Sequence, residues 1–380
     1  MFERSRKGEV ALLIQPHAGG PPDESALEEF ADLARSAGAS VAATLNARID
    51  KPNPATLIGS GKLEEVKAAC DATGADLVLV NHPLSPGQER NLEKALQRRV
   101  VDRTGLILDI FAQRARSHEG KLQVELAQLQ YLSTRLIRAW THLERQKGGI
   151  GLRGPGETQL ETDRRLIGQR GKLLNERIAR VAVSRATQSR TRRRASVRTI
   201  ALVGYTNAGK STLFNRLTKA HVHAADQLFA TLDTTLRRWH VDGADVLVLS
   251  DTVGFIRDLP HDLIAAFRAT LAEAADADLL LHVIDASAPD RDAQIEAVDE
   301  VLRAVGADGV PQIRVLNKCD LAGLPPGVEE DGCGNISTVR LSALTGAGCA
   351  DLRAALALRF PREATSNTSQ SHDQAPALPG

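Results

Sequence analysis

An apolar run at residues 197–203 leads directly into the spacing G-x-x-x-x-G-K-S, which begins at Gly204 and ends at Ser211, and a helical pattern follows it. A phosphate-binding loop requires this placement between a strand and a helix. Its glycines let backbone amides surround phosphate oxygens, Lys210 can reach the outer phosphates, and the Ser211 hydroxyl can ligate Mg²⁺. The loop therefore predicts an α/β domain and a ligand that carries phosphates. The predicted loop residues are Gly204, Tyr205, Thr206, Asn207, Ala208, Gly209, Lys210, Ser211 and Thr212.

A second glycine and lysine cluster lies at residues 59–62, but it lacks this spacing. Thr56 stands where the first glycine would be needed, and Leu63 stands where the hydroxyl would be needed. We therefore interpret the cluster as a turn at the start of a helix.

Three later motifs predict which nucleotide binds. Each follows an apolar run, so each is expected at the end of a strand. In the first motif, the Asp251 carboxylate can hold Mg²⁺ through water and the Gly254 amide can sense the γ-phosphate. In the second, the Asp320 carboxylate can accept two hydrogen bonds from guanine, whereas adenine offers neither donor there. In the third, a backbone amide can support the guanine oxygen. The motif residues are Asp251, Thr252, Val253 and Gly254, then Asn317, Lys318, Cys319 and Asp320, then Ser342, Ala343 and Leu344. Together they predict GTP.

The residue after Gly254 bears on the rate of hydrolysis. Ras-like enzymes have a glutamine at this position, which orients the attacking water, but this chain has Phe255. We therefore expect slow intrinsic turnover that a partner accelerates. Asn207 stands where related GTPases ligate a potassium ion. Activation by K⁺ is a hypothesis, set against the alternative that Asn207 only shapes the loop.

Charge is distributed unevenly along a chain whose formal net charge is only +1. Between Phe111 and Arg198 there are 20 Lys and Arg against 7 Asp and Glu. A basic block is typical of a protein that binds a polyanion, because each cation placed on a phosphate releases counterions. Apolar residues recur every seven positions within the block, which predicts an antiparallel coiled-coil hairpin. They are Leu122, Leu129 and Leu136 on one arm and Leu160, Ile167, Leu174 and Val181 on the other.

The turn of this hairpin, residues 147–158, holds five glycines and a proline. Such a tip can follow an RNA phosphate path closely, and Trp140 could stack on an unpaired base or belong to the core. The predicted RNA contacts are Arg145, Lys147, Gly149, Gly151, Arg153 and Gly154. The alternative is that the arms form a dimerisation coiled coil with solvated charges. We interpret the cluster at residues 190–194 as a charged linker against RNA.

These patterns divide the chain into four parts. Residues 1–112 alternate strands and helices and predict an N-terminal α/β domain, and residues 113–195 form the basic hairpin. Residues 196–362 form the phosphate-loop domain, with a mostly parallel sheet between helices, and residues 363–380 are expected to be a disordered tail. We expect a monomer.

Composition excludes several other classes of protein. With 42% hydrophobic and 25% charged residues, the chain is an ordinary globular protein, with no apolar stretch long enough for a membrane span. We see no signal peptide, so the cytoplasm is the expected compartment, and partial membrane association stays open. The four cysteines lie far apart and are expected to be reduced thiols.

Three stretches of the sequence together resemble the HflX family of bacterial GTPases. They are Phe229, Ala230, Thr231, Leu232 and Asp233, then the run from Asp251 to His261, and the glycine-rich loop from Gly148 to Asp163. The resemblance implies a GTPase that binds the large ribosomal subunit and its rRNA and splits ribosomes under stress. It also implies that Thr231 ligates Mg²⁺, beside the Ser211 of the phosphate-binding loop. The predicted catalytic residues are therefore Lys210, Thr231 and Gly254. Thr234 is a departure, because the family usually has proline there.

Two other functions fit the same motifs. One is an RNA-docked assembly or anti-association factor whose nucleotide only sets its residence time on the ribosome. The other is a tRNA-modification GTPase, which would need a catalytic module that the sequence does not display.

Overall fold

The structure is a computed structural model that describes residues 8–139, 155–194, 197–220, 227–260, 263 and 268–362. Its first domain alternates strands and helices, as the sequence predicts. The elements are β1 (Val10–His17), α1 (Glu24–Ser36), β2 (Ser40–Arg48), α2 (Ser60–Thr73), β3 (Leu77–Val80), α3 (Pro86–Leu96), β4 (Arg99–Asp102) and α4 (Arg103–Arg114). The strands form a parallel sheet in the order β2-β1-β3-β4.

Local signals explain where several of these helices begin. The Asp23 carboxylate accepts a hydrogen bond from the Ala26 amide at the start of α1, and Ser85 and Gln88 form a capping box at the start of α3. Gly59 immediately precedes α2, which confirms the predicted helix-start turn. No sequence pattern described above predicts α4. It begins where Asp102, the last residue of β4, accepts from the Gly105 amide.

Two long helices follow, α5 (His118–Ala139) and α6 (Pro155–Arg194). Leu122, Leu126 and Leu174 are buried between them, as the seven-residue pattern predicts for Leu122 and Leu174. Two details were wrong. Helix α6 begins at Pro155, so the predicted loop does not extend to Asp163. The same helix includes the cluster at residues 190–194, which we interpreted as a linker. Proline suits the first position of a helix and arginine is a good helix former, which accounts for both.

The last domain is built around a seven-stranded sheet in the order β10-β11-β9-β8-β5-β7-β6, which is parallel except for its two edge strands. This confirms the predicted fold class. Its elements are β5 (Arg198–Val203), α7 (Lys210–Thr218), β6 (Thr235–Trp239), β7 (Leu247–Asp251), α8 (Arg268–Ala275), β8 (Leu279–Asp285), α9 (Arg291–Val305), β9 (Gln312–Asn317), α10 (Cys319–Ala322), β10 (Gly327–Glu330), β11 (Ile336–Arg340) and α11 (Cys349–Arg359).

One apolar core spans the junction between the first and last domains. Phe30 of α1 and Ile107 of α4 belong to the same buried cluster as Phe229 and Phe255. The Phe111 and Phe229 rings meet edge to face, with centroids 4.7 Å apart. The segments that carry Phe229 and Phe255 therefore pack on the N-terminal domain. None of the helices in the described ranges combines the length and the apolar composition that a membrane span requires.

Candidate functional site

The phosphate-binding loop connects β5 to α7 and lies at the carboxyl end of the sheet. Gly204 and Gly209 have positive φ angles of 147° and 92°, and a Cβ at Gly204 would collide with the Val283 carbonyl, so only glycine fits there. Lys210 is buried, and its ammonium donates to the carbonyl oxygens of Gly204 (3.0 Å) and Tyr205 (2.6 Å). Burial lowers the pKa of Lys210 to about 8, and the Asp251 carboxylate acts in the opposite direction.

A pocket opens over this loop and gathers most of the predicted phosphate-site residues. It is lined by Thr206, Asn207, Gly209, Lys210, Ser211, Thr212, Gln227, Phe229, Ala230, Thr231, Thr252 and Gly254. Gln227 is the member that the sequence analysis missed. No motif marks it, because it lies outside the phosphate-binding loop and four residues before Thr231.

Three predicted Mg²⁺ residues converge at the edge of the pocket. The Ser211 hydroxyl lies 2.8 Å from the Thr231 hydroxyl and donates to Asp251 Oδ2 at 2.8 Å, while Thr231 donates to the same oxygen at 3.1 Å. The second oxygen, Asp251 Oδ1, is buried without a hydrogen-bond partner among the described residues. Burial raises the pKa of Asp251. Hydroxyl and carboxylate oxygens are the ligands that Mg²⁺ prefers, so this group of residues fits that ion.

The strand β7 delivers Asp251 and then Gly254 to the pocket. A Cβ on Gly254 would lie 2.9 Å from the Thr206 methyl carbon and 3.0 Å from the Lys210 ammonium, so a larger residue would crowd the phosphate site. The Phe255 side chain is buried in the apolar core. Its backbone pairs with the loop, since Thr206 N donates to Phe255 O at 2.7 Å. Phe255 therefore does not reach the pocket.

The predicted guanine-binding residues lie on two adjacent loops. The Asn317 side chain donates to Ala208 O at 2.8 Å and accepts from Ala343 N at 2.9 Å, so it joins the phosphate-binding loop to the loop after β11. Asp320 is exposed, as a base-binding carboxylate must be. Lys318 forms an ion pair with Asp285 at 2.7 Å. Cys319 and Ser342 are buried, while the Leu344 side chain is exposed.

Within the predicted segment from Phe229 to Asp233, Leu232 and Asp233 are not among the residues that line the pocket. Leu232 is buried in the apolar core. The Asp233 carboxylate faces the start of the hairpin, where it accepts hydrogen bonds from Arg116 N (2.8 Å), Ser117 N (2.7 Å) and Ser117 Oγ (2.5 Å). These contacts join residues 116 or more positions apart, so no local pattern could have predicted them.

A polar network connects the other side of the pocket to the N-terminal domain. The Tyr205 hydroxyl donates to the Glu29 carboxylate and accepts from Arg257 N at 2.9 Å. Arg103 of α4 forms an ion pair with Glu29 and donates to Arg257 O at 2.7 Å. Burial, together with the Glu29 carboxylate, raises the pKa of Tyr205 above its usual range, so this hydroxyl stays protonated.

The predicted RNA-contact residues, from Arg145 to Gly154, lie outside the described residues, as do Trp140 and the tail at residues 363–380.

Comparison with known proteins gives three matches along the chain. Residues 24–112 match the family described as "GTP-binding GTPase N-terminal", residues 114–192 match "GTP-binding GTPase Middle Region", and residues 199–318 match "50S ribosome-binding GTPase".

Among curated relatives, the chain is similar to the GTPase HflX of Escherichia coli, with 55% identity over 371 residues that cover 97% of this chain and 87% of that protein. It is also 48% identical to the GTPase HflX of Magnetococcus marinus over 352 residues, which cover 92% and 81% of the two chains. The solved complex of SsGBP with GDP has the same fold, with a TM-score of 0.52 at 24% identity and coverage of 93% and 98%.

Proposed function

The chain belongs to the HflX family of GTPases, and from this premise we propose that it binds the large ribosomal subunit in its GTP state and splits ribosomes under stress. The family identity over nearly the whole chain supports GTP hydrolysis to GDP and phosphate as its reaction. The match of residues 199–318 to a ribosome-binding GTPase family supports the partner.

Within this proposal the pocket takes up the triphosphate and one Mg²⁺ ion. Ser211 and Thr231 would be its direct ligands, and Asp251 would hold it through water. When bound there, Mg²⁺ would supply neutralisation of charge on the β- and γ-phosphates. Lys210 gives up its two loop carbonyls and turns to the outer phosphate oxygens. Asp320 and the loop at Leu344 select guanine.

The hairpin is the part that we assign to rRNA. Its basic charge supports a polyanion partner, and we place the RNA contacts at Arg145, Lys147, Gly149, Gly151, Arg153 and Gly154. In this assignment the protein acts as a monomer, and helices α5 and α6 form the hairpin that contacts the RNA.

The single observation that carries the proposal is that one short segment contacts both the metal position and the hairpin. Thr231 and Asp233 are two residues apart. Thr231 faces the metal position, while Asp233 holds the amides that lead into α5. Arg185 of α6 adds a second connection, because it donates to the Thr234 hydroxyl and forms an ion pair with Glu119 of α5 at 2.9 Å.

This contact makes the hairpin sensitive to the nucleotide. When GTP and Mg²⁺ hold Thr231, Asp233 is held at the base of the hairpin. When hydrolysis removes the γ-phosphate, the segment is released and the base of the hairpin loses three hydrogen bonds. Ribosome affinity then changes because the hairpin's base is no longer fixed to the nucleotide-binding domain.

Sedimentation of assembled ribosomes through sucrose gradients tests the proposal. We expect free subunits when the protein is added with GTP or a non-hydrolysable analogue, and intact ribosomes when it is added with GDP. Lys210→Ala, which removes the phosphate-binding ammonium, serves as the control and should leave ribosomes intact. If neither GTP form splits ribosomes while the protein still sediments with large subunits, the assembly or anti-association function takes its place.

A further inference from the structure

Hydrolysis needs a group that orients water toward the γ-phosphate, and the usual position offers none. The Phe255 side chain is buried in the apolar core. Among the described pocket residues, the carboxamides belong to Asn207 of the phosphate-binding loop and to Gln227. A carboxamide can accept a hydrogen bond from water through its oxygen and donate to a phosphate through its nitrogen. Gln227 therefore has the chemistry that Phe255 lacks.

Gln227 lies on a segment that the N-terminal domain holds in place. The neighbouring Leu228 amide donates to the Ser36 hydroxyl of α1 at 3.1 Å, and the Phe229 ring packs against Phe111 of α4. The guanidinium of Arg114, the last residue of α4, donates to the carboxamide oxygen of Gln227. These contacts hold the segment that carries Gln227 and give its exposed side chain a hydrogen-bond partner beside the phosphate site.

Arg114 is an unusual partner for a glutamine. Among the described residues it forms no ion pair, and its Nε is buried without a hydrogen-bond partner. Its other hydrogen bond goes to the Ser36 carbonyl at 3.5 Å. Burial and the nearby Arg116 cation lower its pKa. A half-buried cation without a carboxylate partner destabilises the folded state. This favours a functional role for the contact between Arg114 and Gln227.

We propose that Gln227 orients the attacking water in this GTPase and that Arg114 is the positioning residue that holds the Gln227 carboxamide in the required rotation. With one lone pair of the Gln227 oxygen taken by Arg114, the second lone pair can accept from the water, and the amide nitrogen can donate to a γ-phosphate oxygen. The inference rests on the GTPase activity and not on ribosome binding, so its failure would leave the ribosome proposal standing.

The chemical step is an ordinary hydrolysis. The water oxygen forms a bond to the γ-phosphorus while the bond from that phosphorus to the β,γ-bridging oxygen breaks, and the electron pair of that bond stays with GDP. The water proton passes to a γ-phosphate oxygen, so the products are GDP and inorganic phosphate. Gln227 and Arg114 gain and lose no proton.

In this structure Gln227 and the residues from Phe229 to Thr231 line the pocket. Because Arg114 lies on α4 of the N-terminal domain, we expect the contact between that domain and this segment to influence the hydrolysis rate. This explains how a chain with Phe255 can hydrolyse GTP without a glutamine in the usual position.

The test uses the purified full chain with GTP and Mg²⁺ under single-turnover conditions. We expect Gln227→Ala and Arg114→Ala each to lower the hydrolysis rate about tenfold or more, while the affinity for a non-hydrolysable analogue stays within about threefold of the parent. Arg114→Lys, which keeps one donor, should restore part of the rate. Gln113→Ala is the matched control, since Gln113 lies beside Arg114 on α4 and bonds only to the Ala37 carbonyl in the described contacts.

A double variant separates positioning from direct contact with phosphate. If Arg114 acts through Gln227, Arg114→Ala adds less than about twofold to the loss already caused by Gln227→Ala. Losses that multiply would overturn the positioning role, and an unchanged rate in Gln227→Ala would overturn the inference as a whole. Analogue binding by the parent shows separately whether the nucleotide site itself is assigned correctly.

Discussion

Replacing Asp233 by alanine should weaken the preference of the protein for GTP over GDP. The carboxylate of Asp233 accepts three hydrogen bonds from the start of the hairpin, two of them from backbone amides. It touches no residue of the phosphate-binding loop in the described contacts. Its removal therefore acts on the closed form of the segment and not on the nucleotide contacts themselves.

The size of the effect follows from the exposure of these bonds. A hydrogen bond to a charged group contributes about 1.5–3 kcal/mol when it is buried, and less when it is exposed to water, as these bonds are. We take about 1–2 kcal/mol for the three together, which corresponds to about 5- to 30-fold in an equilibrium constant. By linkage, the affinity for a GTP analogue should fall by that factor while GDP affinity is unchanged.

Isothermal titration of the isolated protein with a GTP analogue and with GDP measures this ratio. Gly120→Ala perturbs the same contact from the other side, because a Cβ there would run into the Asp233 carboxylate. Gly120→Ala should therefore also lower the ratio of GTP-analogue affinity to GDP affinity. Gly168→Ala is the control: its Cβ would meet nothing within 4 Å, so it should only strengthen α6. An unchanged ratio in both Asp233→Ala and Gly120→Ala would refute the coupling that we describe.

Other predictions concern separate parts of the molecule. Asp320→Asn should shift nucleotide preference from guanine toward xanthine, and retained guanine selectivity in a competition assay would contradict the role of that carboxylate. If Asn207 ligates potassium, GTP hydrolysis should be faster in K⁺ than in Na⁺ at equal ionic strength. Equal rates would contradict potassium binding and indicate that Asn207 only shapes the loop. Burial raises the pKa of Asp109 to about 6, despite Arg99 nearby, so the folded protein holds a proton there that the unfolded chain loses above its ordinary pKa of 3.8. The charged Asp109 thus costs stability above pH 6, and this cost disappears as pH falls toward 4. Asp109→Asn should raise the unfolding free energy by about 1–3 kcal/mol at pH 7.5 and far less at pH 4, measured by urea unfolding, and an equal gain at both pH values would contradict this reasoning.

The parts of the site that could be predicted from the sequence are those with short-range signals. The spacing from Gly204 to Ser211 requires a strand before it and a helix after it, and the structure has both. The heptad positions Leu122 and Leu174 fall in the seam between the two long helices. Each of these signals lies within one or two elements, so one sequence suffices to find it.

The parts that could not be predicted depend on side chains brought together from distant positions. Gln227 meets Arg114 across 113 residues, and Tyr205 meets Glu29 across 176. Arginine, glutamine and glutamate are common on any surface, so nothing local distinguishes these from solvated residues. Asp233 is instructive, because it belongs to a family motif and was assigned to the nucleotide, while the fold turns its carboxylate to the hairpin.

The central claim is that the γ-phosphate controls how tightly the basic hairpin binds the ribosome. Equilibrium titration of purified large subunits with the protein in its GTP-analogue, GDP and nucleotide-free states measures this directly. We predict the tightest binding with the GTP analogue and clearly weaker binding in the other two states. Equal affinities in all three would contradict the account.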